Sequence, residues 1–262
     1  MAGQIVGSIK DGVAQLLYDN EARRNAMSVG MCMQATELLE QYGKNPEVRL
    51  LIITGAGDKS FISGADISEF EKTRSDAKTA AEYSKFTSRM YNLVHEFPKP
   101  TIAKIRGFCF GGGMGLAAAC DLRFASDDSI FSIPAARLSI SYRLDFLVWL
   151  SAIIGEARTR EMLITAKRYT AQEAAAFGLV HQIAPRADFE KAFDAYIAPI
   201  KENAPLSMMA SKQMLNAIAD NILTPLERDR LKALSEACLA SADYKEGRTA
   251  FMKKRKPVFR GV

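Results

Sequence analysis

Residues 50–54 read Leu-Leu-Ile-Ile-Thr, an apolar, β-branched run that the glycines at 55 and 57 close. The alternation of apolar and polar residues that marks a half-solvated strand is missing, so the run predicts a strand covered on both faces. Such a strand needs layers on either side, and the rest of the sequence supplies them. Residues 4–19 read as two strands around the turn Lys10-Asp11-Gly12. Ser28 is placed as the N-cap of an amphipathic helix carrying Met31, Ala35, Leu38 and Leu39 and ending at Gly43. A helical stretch from about Asp76 to Glu96 stops before Pro98, and residues 101–107 form another strand. The small residues 111–120 predict a short helix, and residues 121–126 and 129–133 two more strands. This order predicts an α/β layered core. After about Arg143 the pattern is helical apart from Leu179-Val180-His181-Gln182-Ile183. The expected division is therefore an α/β core over residues 1–200 and a helical region over 201–262. Apolar faces of the helical region are free to pack on the core or on a neighbouring subunit.

Composition removes several function classes. No apolar run approaches the ~18 residues of a membrane span, and the first twelve residues lack a signal-peptide layout, so a cytoplasmic protein without membrane partners is expected. Cys32, Cys109, Cys120 and Cys238 are scattered, with no C-x-x-C pair, which suits free thiols in a reducing compartment. His95 and His181 are the only histidines, so neither a catalytic zinc nor a serine triad is favoured, and no metal is expected. Basic residues exceed acidic ones by 35 to 30, too slight an excess to indicate nucleic acid. One cluster is denser: Lys253, Lys254, Arg255 and Lys256, followed by Arg260. It reads either as a solvated helix end that complements the helix dipole or as a contact for a small polyanion.

Two glycine-bearing segments each follow a strand. The first runs from Phe61 through Ser63, Gly64, Ala65 and Asp66 to Ile67; the second holds Gly107, Gly111, Gly112, Gly113 and Gly115. Consecutive glycines entering a helix leave backbone N–H groups unshielded, and a helix N-terminus adds uncommitted donors and a positive dipole end. That combination suits an anion or a developing oxyanion; the alternative is a tight turn whose glycines permit close packing. The second segment is no Walker A loop, because no G-K-[ST] follows, and Leu116 spoils a G-x-G-x-x-G fingerprint.

Taken together, S-G-A-D-I at 63–67, K-P-T-I-A-K-I-R-G-F-x-x-G-G-G at 99–113 and C-D-L-R-F-A at 120–125 resemble the crotonase (enoyl-CoA hydratase/isomerase) superfamily. R-N-A-M at 24–27, F-G-L-V at 177–180 and F-M-K-K-R-K-P-V-F at 251–259 extend the resemblance nearly end to end. It implies a spiral core of ββα units, with C-terminal helices mediating homotrimers that often pair into hexamers. It implies an acyl-CoA substrate, with coenzyme A as part of that substrate and no tightly bound cofactor. It also implies an oxyanion hole made by the N–H groups of Ala65 and Gly112. Fixed donors of this kind stabilise a thioester enolate, each worth about 3–4 kcal/mol. By the same carry-over Ser63, Ala65 and Ile67 border the adenine, and Arg23 and Arg24 lie near the phosphates. Phe251 and Lys254 reach the coenzyme, sometimes from a neighbouring subunit.

The chain departs from the hydratase pattern at two positions. In the family's hydratases one glutamate comes three residues after the middle glycine and a second twenty residues later; here those positions are Gly115 and Ala135. Neither can carry a proton, and each positioned acid or base contributes about 10²–10⁴ in rate. Asp145 and Arg143 stand where other branches place a catalytic carboxylate, though Asp145 equally suits a helix N-terminus. Tyr142 lies in P-A-A-R-L-S-I-S-Y-R-L, similar to a stretch of methylmalonyl-CoA decarboxylases in which a tyrosine meets the acyl group; it equally suits an interface aromatic. Asp66, Cys120-Asp121, His95 and His181 read as structural, and Glu69 as a weaker candidate for the acyl pocket. The pocket walls are expected in the loops around residues 70–90 and 135–150. Three readings follow: an enolate-forming acyl-CoA enzyme of the hydratase/isomerase type, a malonyl-type decarboxylase, and an acyl-CoA-binding member without chemistry.

Overall fold

The computed structural model describes residues 3–69 and 76–262, with residues 70–75 of the expected pocket wall outside the described residues. β1 (Gln4–Lys10) and β2 (Val13–Asp19) form the predicted hairpin, and α1 (Val29–Lys44) starts on Ser28, whose hydroxyl accepts the N–H of Met31. There follow β3 (Leu50–Gly55), β4 (Ser60–Ile62), α2 (Ala77–His95), β5 (Thr101–Ile105), β6 (Phe108–Phe110), α3 (Gly112–Ala119), β7 (Leu122–Ser126) and β8 (Ile130–Ser132). The remainder is α4 (Leu144–Thr165), β9 (Tyr169–Thr170), α5 (Ala171–Ala176), β10 (Gln182–Ala184), α6 (Phe189–Glu202), α7 (Pro205–Ala219), α8 (Pro225–Ala240) and α9 (Ala242–Met252).

Successive strand pairs divide between two sheets. β3, β5 and β7 lie in a sheet ordered β1-β2-β3-β5-β7-β10, and β4, β6 and β8 in one ordered β4-β6-β8-β9. Each repeat sends one strand to each sheet before its helix, and the pairings β3–β5–β7 and β4–β6–β8 are parallel. The run that predicted a doubly covered strand is buried at every position of β3. Period-two geometry sorts its residues: Leu51 and Ile53 join the main core, while Leu50 and Ile52 join Phe124, Phe189 and Phe193 beneath α6. The residue pattern predicted this mixed α/β core, and the resemblance implied the ββα units whose strands alternate between the two sheets.

Buried polar groups fix the connections. Lys99, 8% exposed, donates to the carbonyls of Tyr42, Gly43 and Asn45 at the end of α1. Arg123, 3% exposed, donates to the carbonyls of Ala117 and Cys120 at the end of α3 and to that of Leu179. A cation placed there complements the negative end of α3, the helix whose other end enters the glycine segment. Asp121 accepts from Thr101 and Lys212, so the Cys120-Asp121 pair is structural as expected. Cys32, Cys109 and Cys120 are buried free thiols, and burial pushes Cys32 and Cys120 up to about 12. Among the described residues no helix is long and apolar enough to cross a membrane.

Both histidines are structural. The His95 ring stacks on Trp149 with centroids 4.8 Å apart and meets Asp220 at 3.2 Å. His181 keeps an exposed edge, but its Nδ1 accepts the N–H of Arg123 at 3.2 Å, which requires that nitrogen unprotonated. Partial burial of the ring, with the Arg123 charge nearby, pushes this imidazole down to about 4. A depressed pKa means that the unfolded chain binds the proton first, so stability is full above about 6.5 and declines as pH falls towards 4. NMR titration should therefore give one imidazole with a pKa near 4, and His181→Gln should flatten the acid limb of the stability profile. Titration of both rings near 6.5 would contradict this assignment.

Candidate active site

The two glycine segments meet at one place, and the R-N-A-M segment is what brings them together. Arg24 and Asn25 have φ of +53° and +56°, turning the chain sharply after β2. The Asn25 side chain, 1% exposed, donates to the carbonyls of Ala56 and Ser60 and accepts the N–H of Asn20. This locks the loop against the β3–β4 connection and sets Met27 in an isolated parallel bridge with Ala65. The bridge uses the N–H groups of Met27, donating to Gly64, and of Asp66, donating to Met27. Among the described residues it leaves the N–H of Ala65 without a backbone acceptor.

Opposite it, Gly111 takes φ +50° and turns β6 into α3, whose first residue is Gly112. The N–H of a first helical residue has no partner within its helix. Close packing accounts for the neighbouring glycine: a Cβ on Gly113 would lie 2.3 Å from the carbonyl oxygen of Ile62. A Cβ on Gly112 would likewise lie 2.9 Å from the Tyr91 hydroxyl, so close packing restricts both glycines. Two tyrosines fix the turn, with the Tyr142 hydroxyl donating to Gly111 O at 2.9 Å and that of Tyr91 to Gly112 O at 3.2 Å. In a trans peptide the C=O and N–H point in opposite directions, so holding Gly111 O also sets the direction of the Gly112 N–H.

Ala65 and Gly112 both line a cavity of about 360 Å³, together with Ser63, Ile67 and Tyr142. Ile67 is 58% exposed at its rim, although an isoleucine is ordinarily buried. Arg23 and Arg24 do not line the cavity; only their backbone adjoins it, Ser63 donating its hydroxyl to Arg23 O and its N–H to Arg24 O. The Arg24 guanidinium lies 5.3 Å from the Phe108 ring centre. Arg23 is held at 2.5 Å from Asp66. Burial works against ionisation of Asp66, yet hydrogen bonds from Ser68 and Arg23 outweigh it and hold the carboxyl below its usual range. Asp66 is thus structural, as predicted. Glu69 does not line the cavity; its carboxylate accepts the N–H of Val29 at the start of α1.

Other expected residues are not brought together. Asp145 lies outside the lining, in the first turn of α4 beside Arg143 at 3.2 Å, with its side chain 43% exposed. Its placement is that of a helix-terminal charge. Phe251 lies in the last turn of α9 and Lys254 two residues beyond that helix, and the lining draws on nothing beyond Phe146. Phe251 is 83% exposed. Of the basic cluster, Arg255 pairs with Glu246 and Lys256 with Glu202. Among the described residues no group of three or more His, Cys, Asp or Glu side chains is placed to hold a metal.

The hydratase positions are now defined by their surroundings. Ala135 lines the cavity with a methyl group, and Gly115 is covered by Phe146: a Cβ built on it would lie 2.4 Å from Cε2 of that ring. Phe146, 3% exposed, packs edge-on against Tyr91 at 4.5 Å and Tyr142 at 5.2 Å. Sequence reasoning did not single out Phe146 or Tyr91. Both sit in helical stretches where an aromatic reads as ordinary core, and their contact with residues 111–115 is long-range. Burial pushes the hydroxyls of Tyr91 and Tyr142 well above 10, so both remain protonated donors near neutral pH.

The family model for enoyl-CoA hydratase/isomerase matches residues 8–262. The chain belongs to the enoyl-CoA hydratase/isomerase family. It is 31% identical to a crotonyl-CoA hydratase of Syntrophomonas wolfei, over 95% of each chain. It is 28% identical to a peroxisomal Delta(3,5)-Delta(2,4)-dienoyl-CoA isomerase of Arabidopsis thaliana, over 94% of this chain and 92% of that one. The crystal structure of an enoyl-CoA hydratase/carnithine racemase from Magnetospirillum magneticum superimposes with a TM-score of 0.93 at 30% identity, covering 98% and 96% of the two chains. The family thus spans hydration and isomerisation, and membership alone does not choose between them.

Because Phe146 occupies the space above Gly115, Gly115→Ala should destabilise the fold by about 1–3 kcal/mol through overpacking. It should lower the urea midpoint with little change in slope. In a Phe146→Ala background the same substitution should cost almost nothing. Equal costs in the two backgrounds would show that the ring is not what excludes a side chain at 115.

Proposed function

We propose that this protein binds an acyl thioester of coenzyme A and stabilises its enolate with the N–H groups of Ala65 and Gly112, in a reaction other than hydration. The observation that carries this reading is the pair of positions where a hydratase places its glutamates. One is Gly115 under the Phe146 ring, and the other is Ala135. Fixed N–H donors need no proton of their own to stabilise negative charge on the thioester oxygen, so the enolate step survives the loss of both carboxylates.

A malonyl-type decarboxylation is the second reading, and one observation favours it. Among the described residues the lining includes no carboxylate and no histidine, and two of its tyrosines are held protonated. Loss of CO₂ leaves its bonding electrons on the α-carbon, delocalised onto the thioester oxygen, and the enolate then takes up a proton. That sequence requires no base. In this setting Tyr142 is a positioning residue, holding Gly111 O while the adjoining N–H meets the substrate. Ser63, Ala65 and Ile67 are assigned to the adenine, with Arg23 and Arg24 near the phosphates. Phe251 and Lys254 are assigned to the coenzyme of a neighbouring subunit in a homotrimer or a pair of trimers. Exposed apolar residues on α7 and α8, among them Leu215 at 64% and Leu226 at 80%, support an assembly through the helical region.

The test is to incubate the pure protein with crotonyl-CoA, a 3-enoyl-CoA and methylmalonyl-CoA. Crotonyl-CoA should not be hydrated at ordinary enzymic rates. Turnover of either other ester should fall about 10²–10³-fold in Gly112→Pro, which deletes one donor. Release of CO₂ from methylmalonyl-CoA, impaired by Tyr142→Phe, selects decarboxylation. Binding without turnover selects a non-catalytic acyl-CoA-binding member. Rapid hydration of crotonyl-CoA would overturn the proposal.

A further inference from the structure

The acyl cavity has a charged wall that enolate stabilisation does not use. Among its described lining residues Arg143 alone carries a full charge. Its guanidinium stands 5.3 Å from the Phe146 ring centre and 5.9 Å from that of Tyr91, whose hydroxyl is bonded to Gly112 O. One tyrosine ring thus separates this cation from the proposed thioester site. The guanidinium is anchored from behind: its Nη atoms reach Ser84, Thr87 and Ser88 of α2, with Nη1 contacts of 3.3–3.4 Å, and Nη2 meets Asp145 at 3.2 Å. Asp145 shares its charge with solvent, since its side chain is 43% exposed against 24% for Arg143. Among the described residues the Arg143 Nε is buried and has no acceptor. The part of the guanidinium that borders the mostly apolar cavity, on a side chain 24% exposed, offers a planar cationic edge that a planar anion matches.

We infer that Arg143 recognises a second carboxylate at the far end of the acyl chain, so that the substrate class is a short dicarboxylic acyl thioester of coenzyme A. This rests on the reading of the cavity as an acyl-CoA site. Thioester oxygen and distal carboxylate then occupy opposite walls, and the apolar rings of Tyr91 and Phe146 flank the methylenes between them. The carboxylate concerned is one that the substrate keeps. A guanidinium on a departing carboxylate would stabilise the ground state and oppose loss of CO₂. Ser84, Thr87 and Ser88 are positioning residues that hold the fork.

The experiment is calorimetric binding of glutaryl-CoA, its monomethyl ester and pentanoyl-CoA to the full chain. Glutaryl-CoA should bind about tenfold tighter than either neutral ester, the effect of a charge-assisted contact in a partly buried wall. Arg143→Gln should abolish that preference, and Arg143→Lys should keep part of it. The wild-type comparison needs no variant, so a misfolded substitution does not hide the answer. Equal affinity for the three esters in wild type would overturn the inference while leaving the acyl-CoA reading intact. A preference that persists in folded Arg143→Gln would also overturn it. Failure of all three esters to bind would overturn both.

Discussion

The close approach of two backbone turns, at Gly64-Ala65 and at Gly111-Gly112, is the constraint on which the site depends. A Cβ on Gly64 would lie 3.7 Å from the Gly112 nitrogen, and one on Gly112 would lie 3.6 Å from the Ala65 nitrogen and 2.9 Å from the Tyr91 hydroxyl. Gly64 and Gly111 hold φ of +118° and +50°, conformations that residues with a Cβ rarely adopt. Each turn ends a strand of the inner sheet, since β4 and β6 are hydrogen-bonded neighbours in parallel. The spiral of ββα units therefore places two strand ends side by side, and the glycines let the chain turn there while keeping backbone N–H groups available. Placing donors on rigid backbone is what lets a site stabilise developing charge without reorganising at the moment of reaction.

The rest of the molecule holds those turns. Asn25 ties the Met27 bridge to the first, and the hydroxyls of Tyr91 and Tyr142 hold the carbonyls of the second. Arg123 secures the far end of the short helix that the second turn begins. Phe146 joins both tyrosines and fills the space over Gly115, so one ring both supports the turn and excludes a side chain at 115. Among the described residues the cavity that results combines a polar backbone wall, an aromatic wall and a single guanidinium.

Much of the scaffold is legible in the sequence because its signals are local. The apolar run at 50–54, the Ser28 cap and the hairpin turn at Lys10-Asp11-Gly12 each specify their element through neighbouring residues. Among the expected site residues, Ala65, Gly112, Ser63, Ile67 and Tyr142 line one cavity. Phe146 and Tyr91 were not legible, because a buried aromatic on a helix has the same pattern whether it packs on core or on an active-site turn. Asp145 looked equally like a catalytic carboxylate and a helix-terminal charge; its exposed position beside Arg143 follows from the three-dimensional path of α4, which spacing along the chain does not encode. Phe251 and Lys254 lie away from this chain's cavity.

The central claim is that Ala65 and Gly112 jointly bind a thioester oxygen. Isotope-edited infrared spectroscopy of a bound, carbonyl-¹³C-labelled acyl-CoA measures that contact without requiring turnover. Two fixed donors should shift the thioester carbonyl band to lower frequency than in water, and Gly112→Pro should return most of the shift while the ester remains bound. A bound ester whose carbonyl band matches that in water, or a shift that Gly112→Pro leaves unchanged, would contradict the account.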